Sequence, residues 1–179
     1  KLHRAFSVLL FNSKNELLIQ KRAAEKITFP SIWANSCCSH PLFLDDEKKG
    51  IDGARVAAKR KMIQELGIDE NEIDIQKLNF ITRMHYKARA DEKWVEHEID
   101  YIFVMKDDLE INPNKNEIET TKYVNQSELN EFFEKAEDNG DLIGPWFRLI
   151  KEHFIDKIWE NISDPGKVRD QRVHNMGEC

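Results

Sequence analysis

Residues 29 to 41 concentrate more reactive side chains than any other part of the sequence. They include two cysteines, a serine and a histidine in succession, Cys37, Cys38, Ser39 and His40. If the backbone from Cys38 to His40 is extended, these two side chains point to one face and Ser39 points to the other. A thiol that can act as a nucleophile or base then lies beside an imidazole that can bind a metal. Cysteines packed as small hydrophobes in a buried loop would explain the same residues.

A second group of polar side chains interrupts an apolar stretch in the middle of the sequence. Glu96 and Glu98 share one face of an extended strand, and Asp100 continues that face. Neighbouring carboxylates resist burial unless a cation or a proton is shared between them, although a solvent-exposed face would tolerate them. With His3 and His40 the glutamates would form a mixed nitrogen and oxygen site suited to magnesium, manganese or zinc.

The first half of the sequence predicts a hairpin, a helix and two strands around these residues. Apolar runs at 5–11 and 17–19 flank a turn-forming Asn-Ser-Lys-Asn, which indicates a β-hairpin. Residues 50–67 carry small and apolar side chains at four-residue spacing and end in glycine, which is typical of an amphipathic helix. Residues 78–86 and 94–105 are rich in β-branched and aromatic side chains and predict two paired strands.

The second half predicts one more strand and two helices. Residues 120–124 predict a short strand, and 127–136 predict a helix with Ser127 as its N-cap. Pro145 is placed as at the start of a helix, and it introduces a long amphipathic pattern over residues 146–162. We expect a single continuous helix there.

The composition is that of a globular domain. The 179 residues are 40% hydrophobic and 34% charged, with a formal net charge of -6. We expect one domain over residues 1–162 and a polar tail over 163–179 that is loosely ordered, because the tail has no apolar periodicity. No apolar run is long enough for membrane insertion, and the acidic balance argues against nucleic acid as a partner. The acidic balance is compatible with a small anionic ligand. The sequence does not determine the oligomeric state.

The cysteines indicate the redox compartment. Cys37, Cys38 and Cys179 cannot build a disulfide framework, and a bridge between adjacent residues would be strained. We therefore expect free thiols and a cytoplasmic location, in line with the lack of a recognisable targeting signal. The sequence begins at Lys1 and enters an apolar run at once, so we also expect it to lack an upstream segment of a longer protein.

Four ordered motifs give the sequence a close resemblance to type I isopentenyl-diphosphate isomerases over nearly all of residues 1–162. The motifs are Leu-His-Arg-Ala-Phe-Ser from Leu2, the segment from Phe29 to Pro41, Glu-His-Glu from Glu96, and Pro145-Trp146. The resemblance implies a Nudix-type α/β/α sandwich with a mixed β-sheet. It also implies an isomerase of isoprenoid biosynthesis that interconverts isopentenyl and dimethylallyl diphosphate.

The resemblance implies roles for individual side chains in catalysis and metal binding. Cys38 would be the catalytic thiol and Glu98 the opposing catalytic carboxylate, with Tyr86 beside it. An acid and a base are needed because moving a double bond in an unactivated alkene adds one proton and removes another. The family's metal-ligand positions fall on His3, His40, Glu96 and Glu98. A second Mg²⁺, beside the substrate diphosphate, would use Glu65.

The resemblance also implies the substrate contacts. The family's substrate-binding positions fall on Arg22, Lys26 and the backbone of Ser39, and two basic side chains suit a diphosphate. Trp146 would present a π face to a developing carbocation, although it could equally be a core residue. Mg²⁺ is the expected cofactor, with Mn²⁺ or Zn²⁺ possible at the histidine and glutamate site.

The sequence departs from the family pattern in several places. The family also uses a histidine and a lysine upstream of His3, in a part that this sequence does not include. Gly144 stands where a hydroxyl residue commonly precedes Pro145, and Lys61 replaces an expected arginine. These differences affect the expected details of the substrate site.

Two other functions are alternatives to the isomerase hypothesis. A Nudix hydrolase would cleave a diphosphate derivative, but Lys61 and Gln64 replace two glutamates that would bind its metal, so a three-carboxylate cluster cannot form. A non-catalytic zinc module could use Cys37, Cys38 and His40. Structural zinc sites usually separate their cysteines by two to four residues, and this arrangement does not.

Overall fold

A computed structural model describes all 179 residues. Its strands are β1 His3–Phe11, β2 Leu17–Arg22, β3 Trp33–Ala34, β4 Cys37–Ser39, β5 Asn79–Arg89, β6 Val95–Lys106, β7 Ile118–Val124 and β8 Val173–Glu178. Its helices are α1 Gly50–Leu66, α2 Gln126–Lys135, α3 Pro145–His153 and α4 Ile155–Glu160. None of these helices combines the length and the apolar character needed to cross a membrane.

All eight strands belong to one mixed sheet. Its main path runs β3-β2-β1-β6-β5-β8, while β4 also pairs with β1 and β7 with β2. β1 is parallel to β6 along its whole length and antiparallel to β2 and β4. β1 therefore lies between β4, which carries the cysteines, and β6, which carries the glutamates.

The sheet separates two hydrophobic cores. On one face Leu9 and Phe11 of β1 pack in a core with α2, α3 and α4. On the other face Phe6, Val8 and Leu10 pack in a core with α1. Side chains that alternate along β1 thus enter opposite cores, as period-two alternation requires. The resulting three-layer arrangement confirms the predicted α/β/α sandwich with a mixed sheet.

The elements predicted for the first half of the chain are confirmed. The hairpin of β1 and β2, the helix α1, and the antiparallel pair β5 and β6 all form near the predicted bounds. Gly67 ends α1 in the left-handed region, with φ of 62°. A side chain there would also be blocked, because a Cβ would lie 1.9 Å from the carbonyl oxygen of Asn112.

The N-cap predicted for α2 is wrong. The helix begins one residue before Ser127, at Gln126, and Asn125 is the N-cap. The Asn125 side chain accepts a hydrogen bond from the backbone N–H of Glu128 at 2.8 Å, and the Glu128 carboxylate accepts one from the Asn125 N–H. This reciprocal capping box satisfies two backbone donors that would otherwise be unpaired.

The predicted single helix over residues 146–162 is also wrong, because the chain forms two helices there. α3 ends at His153 and α4 begins at Ile155, since Phe154 leaves helical geometry at φ -131° and ψ -31°. The Phe154 ring instead packs edge-on against His174, with ring centroids 5.3 Å apart. Packing against the C-terminal segment therefore overrides local helix propensity at this position.

That contact also shows that the expectation of a loosely ordered tail over 163–179 is wrong. β8 pairs in parallel with β5, from Arg83 opposite Val173 to Lys87 opposite Glu178. Ahead of the strand, Asp170 accepts a hydrogen bond from the Thr82 hydroxyl at 2.7 Å. A polar strand needs no apolar periodicity when backbone pairing to a neighbour fixes it.

Replacing Asn125 by alanine should lower the free energy of unfolding by about 1 kcal/mol, because it removes the cap that the structure assigns to α2. Ser127 is exposed and is not the N-cap, so Ser127→Ala should change the stability by less than about 0.5 kcal/mol. Urea unfolding of both variants measures the difference. A greater loss in the Ser127 variant would contradict the assigned cap.

Candidate active site

One cavity brings together nearly all of the predicted site residues. It has a volume of about 400 Å³ and is lined by 19 residues. The predicted residues among them are Arg22, Lys26, Cys38, Ser39, His40, Glu65, Tyr86, Glu96, Glu98 and Trp146. Only His3 lies outside, in a neighbouring groove that His40 also lines.

The two cysteines face different sides of the sheet. β4 pairs with β1 so that Cys38 lies opposite Ser7 and Cys37 opposite Val8. Cys38 and His40 both line the cavity, as the alternation along an extended chain predicts. Cys37 is fully buried in the core below α1, and its Sγ lies 3.5 Å from a Glu65 carboxylate oxygen. Only Cys38 is placed to meet a molecule in the cavity.

The polar residues before the cysteines hold this segment against the sheet. The Asn35 amide donates to the carbonyls of Val8 and Cys37, each at 3.1 Å. The Ser36 hydroxyl donates to Leu18 O at 2.6 Å and accepts from a β1 backbone N–H. Trp146 Nε1 in turn donates to Asn35 Oδ1 at 3.1 Å, which orients the indole at the cavity wall. The sequence analysis did not assign Asn35 and Ser36 to this positioning role.

Glu98 is the centre of a hydrogen-bonded group in the cavity that Cys38 also lines. The antiparallel register of β5 and β6 places Tyr86 directly opposite Glu98. The Tyr86 hydroxyl donates to Glu98 Oε2 at 2.8 Å and lies 3.5 Å from Glu96 Oε2. His40 Nε2 contacts the other oxygen of Glu98. Glu98 is 4% exposed, so these partners replace water around its carboxylate.

Burial, neighbouring charges and hydrogen bonds set the protonation of the cavity groups. Burial raises the pKa of Cys38 to about 12, which keeps this side chain a protonated thiol at neutral pH. Burial, followed by the charge of Glu98, raises the pKa of Glu96 to about 7. The same two causes raise the pKa of Tyr86. The hydrogen bond to Glu98 raises the pKa of His40, which favours its imidazolium form.

Asp100 is a further buried acid in the cavity to which the sequence analysis gave no role. It is 1% exposed, and its Oδ2 accepts a hydrogen bond from the Ser7 hydroxyl at 2.8 Å. Its Oδ1 has no hydrogen-bond partner. Burial raises the pKa of Asp100 despite the Ser7 hydrogen bond. The alternation of Glu96, Glu98 and Asp100 along β6 was the sequence signal for its position.

The basic residues of the cavity are already engaged. Arg22 Nε donates to Phe29 O at 3.1 Å, and its Nη2 donates to Thr28 O at 3.0 Å. The Arg22 guanidinium also lies 6.0 Å from the centre of the Trp146 ring system. Lys26 forms an ion pair with Glu117, which lines the cavity and was missed by the sequence analysis.

Glu65 has its own cationic partner. It is 4% exposed, and one of its oxygens lies 3.2 Å from Nζ of Lys61, one helical turn earlier on α1. Lys61 therefore balances the charge of the Glu65 carboxylate. It is the residue that replaces an arginine of the isomerase pattern and a glutamate of the hydrolase pattern.

The expected metal ligands are only partly brought together. No three or more His, Cys, Asp or Glu side chains are arranged so that they could hold a metal ion. His40 contacts Glu98, but the rings of His3 and His40 are centred 6.4 Å apart. The donor chemistry nevertheless fits a divalent cation, because imidazoles stand near buried carboxylates that resist carrying charge without a cation.

Sequence comparisons place the chain among known proteins. A family model described as the NUDIX domain matches residues 1–147. The isopentenyl-diphosphate delta-isomerase of Schizosaccharomyces pombe is 44% identical over 178 residues, which cover 97% of this chain and 76% of that protein. The Bos taurus isopentenyl-diphosphate Delta-isomerase 1 is 45% identical, covering 98% and 78%.

Some relatives are considerably longer than this chain. The chloroplastic isopentenyl-diphosphate Delta-isomerase 1 of Cannabis sativa is 47% identical over 90% of this chain, which spans only 58% of that protein. Among solved structures, a NUDIX hydrolase from Alicyclobacillus acidocaldarius superposes with a TM-score of 0.60 at 10% identity, covering 89% of this chain and 96% of that one. This likeness shows the shared fold.

Replacing Glu96 by glutamine should stabilise the metal-free protein at pH 8 by roughly 1–3 kcal/mol, since a tenfold change in proton affinity is worth about 1.4 kcal/mol. The folded pKa of about 7 lies above the ordinary value of 4.5. Between these values the folded state holds a proton that the unfolded state has lost, so wild-type stability falls as pH rises through this window. The gain should therefore vanish near pH 4.

Urea unfolding from pH 4 to pH 8 with a chelator present measures this gain. Glu92→Gln is the matched control, because Glu92 is exposed and its replacement should change stability little at any pH. A gain in the Glu96 variant that is constant across the pH range would contradict the assigned pKa.

Proposed function

This chain belongs to the isopentenyl-diphosphate isomerases of the NUDIX family, and from that membership we propose that it interconverts isopentenyl and dimethylallyl diphosphate. The observation that carries the proposal is the placement of Cys38, Glu98 and Tyr86 in one cavity. Identities of 44% and 45% to isomerases across 97% and 98% of the chain support it. The substrate would be a small isoprenoid diphosphate.

The arrangement of Cys38 and Glu98 suits a double-bond shift. The reaction adds a proton to the terminal alkene carbon, develops positive charge at the tertiary carbon, and removes a proton from the neighbouring methylene. Cys38 on β4 and Glu98 on β6 lie on opposite sides of β1, and both side chains line the same cavity. Burial keeps the proton on Cys38 in the resting state. Glu98 is then the group available to accept one, and the roles reverse with the direction of reaction.

Trp146 and the cavity wall would protect the cationic centre. The indole is held by Asn35 and forms part of the wall. An aromatic face attracts a nearby cation by about 0.5–2 kcal/mol, more strongly when water is absent. Exclusion of water also prevents capture of the cation as an alcohol. We infer that Trp146 contacts the isoprenoid part of the substrate.

The charge balance of the cavity supports a divalent cofactor. Six carboxyl side chains line it, Glu25, Glu65, Glu96, Glu98, Asp100 and Glu117, against two permanent cations, Arg22 and Lys26. A diphosphate adds more negative charge, which divalent cations commonly balance. We propose Mg²⁺, with His3, His40, Glu96 and Glu98 as one ligand group and Glu65 beside the diphosphate. Bound near Glu98, such an ion would fix that carboxylate and shift the acidity of its neighbours.

The diphosphate would bind to Arg22, Lys26 and the backbone of Ser39. All three line the same cavity as Cys38. The thiols are free, which agrees with a reducing compartment, and we propose the cytoplasm.

Hydrolysis of a diphosphate is the less favoured alternative. Lys61 lies 3.2 Å from Glu65 and contributes positive charge where a hydrolase of this fold would place a metal-binding carboxylate. Gln64 is exposed and uncharged. The carboxylate cluster that would activate water on a metal is therefore incomplete along α1.

Incubation with isopentenyl diphosphate and Mg²⁺ tests the proposal directly. Formation of dimethylallyl diphosphate, followed by ¹H NMR, is the expected result. Heat-inactivated protein gives the background. Recovery of unchanged substrate from folded, Mg²⁺-loaded protein would contradict the proposed activity.

Replacing Cys38 by alanine should lower the isomerase kcat by about 10²–10⁴-fold, the usual contribution of a positioned acid or base. Cys37→Ala should largely preserve activity, because Cys37 faces the α1 core and not the cavity. Rates are compared after the unfolding midpoints of both variants have been measured. Equal losses at equal stability would overturn the assignment of Cys38.

The protein should release neither phosphate nor pyrophosphate from isopentenyl diphosphate or from nucleotide diphosphate derivatives, because the hydrolytic carboxylate cluster is incomplete. Colorimetric phosphate detection, with and without added pyrophosphatase, measures both products. Turnover of any such compound at about 1 per second or faster, an ordinary enzymatic rate, would favour the hydrolase alternative.

A further inference from the structure

Lys26 of the diphosphate site forms an ion pair inside the cavity. Its ammonium group contacts the carboxylate of Glu117, and both residues line the cavity. Their side chains are 24% and 27% exposed, so the pair is partly removed from water. An ion pair in such a position is stronger than one on the open surface.

The backbone holds Glu117 in place beside Lys26. Glu117 O accepts a hydrogen bond from the Ala23 N–H at 3.0 Å, and the Glu117 N–H donates to Asn114 O at 2.9 Å. The next residue, Ile118, is fully buried at the start of β7. These backbone hydrogen bonds join the loop that carries Lys26 to the segment that leads into β7. They therefore hold the two partners of the ion pair beside each other.

The Glu117 carboxylate occupies a place that favours an anion. Burial by itself would raise its pKa, but the Lys26 hydrogen bond and the charges of Lys26, Lys61 and Arg22 together lower it. Two of these cations, Arg22 and Lys26, are those proposed above to bind the diphosphate. A diphosphate oxygen bound there would meet the same cations and the Glu117 charge.

We propose that Glu117 is a built-in counter-ion of Lys26 that competes with the substrate diphosphate and limits its affinity. This inference rests on the proposed function, since it concerns the same diphosphate site. When a diphosphate binds, Lys26 must turn from Glu117 or share its charge between two anions, and the two anions repel each other. Glu117 thereby makes diphosphate binding weaker than Arg22 and Lys26 alone would allow.

Such a limit is useful in an isomerase because substrate and product carry the same diphosphate. Binding of an unchanged group stabilises the substrate, the transition state and the product equally, so it does not accelerate the chemical step. Excess affinity for that group only slows release of the product. Glu117 is therefore a residue that tunes affinity and is distinct from those proposed to move protons.

Glu117→Gln tests the inference, with binding of inorganic pyrophosphate at fixed Mg²⁺ measured by calorimetry. Removing the competing charge should tighten pyrophosphate binding by about 3- to 10-fold, the range for one partly exposed charge pair. The KM for isopentenyl diphosphate should fall in parallel. Thermal unfolding verifies that the variant is folded.

Glu119→Gln is the matched control. Glu119 lies two residues further along on β7, pairs with Lys21 at 3.4 Å, and does not line the cavity. Its replacement should leave pyrophosphate binding unchanged, and equal tightening in both variants would reduce the effect to net charge and overturn the inference. Unchanged binding in the folded Glu117 variant would also overturn it. Weaker binding would overturn it by showing that Glu117 helps to hold the cation.

The outcome for the wild-type protein separates this inference from the proposed function. If wild-type protein binds pyrophosphate and the Glu117 variant binds it equally, only the role of Glu117 fails. If neither protein binds pyrophosphate at millimolar concentration, the diphosphate site fails and the inference fails with it.

Discussion

The parallel pairing of β1 with β6 is the constraint on which the site depends. It fixes His3 opposite Glu98 and Ala5 opposite Asp100, while β4 on the other side of β1 fixes Cys38 opposite Ser7. A slip of one residue would turn the carboxylates of β6 toward the α1 core, because side chains alternate along a strand. The thiol and the carboxylates face one cavity only in the observed register.

Desolvation accounts for most of the chemical character of that cavity. The burial that favours a protonated Cys38 also opposes the ionisation of Glu96 and Asp100. A cavity that excludes water is required to protect a carbocation, and the same exclusion makes several adjacent carboxylates unfavourable unless protons or cations accompany them. In the proposed isomerase, the protonated state of the thiol, the demand of the carboxylates for protons or cations and the protection of a carbocation would therefore have one physical origin.

Local alternation and spacing predicted most of the strands and helices, the family resemblance implied the sandwich fold and the candidate site residues, and tertiary pairing determined the rest. The shared face of Cys38 and His40 follows from strand geometry alone, so it could be predicted from the sequence. The α2 cap was also readable, because Asn125 precedes Glu128 by three residues as a capping box requires, whereas Ser127 precedes Asn130. β8 and Glu117 were not predictable, since a polar strand and a loop acid acquire their positions only by pairing with β5 and with the loop after β2.

The ordered C-terminal strand β8 also affects how readily the sheets of different molecules can pair. β8 lies at one end of the sheet and covers β5, an eleven-residue strand. β8 is itself short and mostly exposed, and a register shift and the positive φ of Gly177 interrupt its regularity. Irregular, polar edge strands are poor templates for pairing between molecules, whereas a long uncovered strand is a good one. β8 therefore acts as a cap against intermolecular sheet extension, and losing it would expose β5 to aggregation.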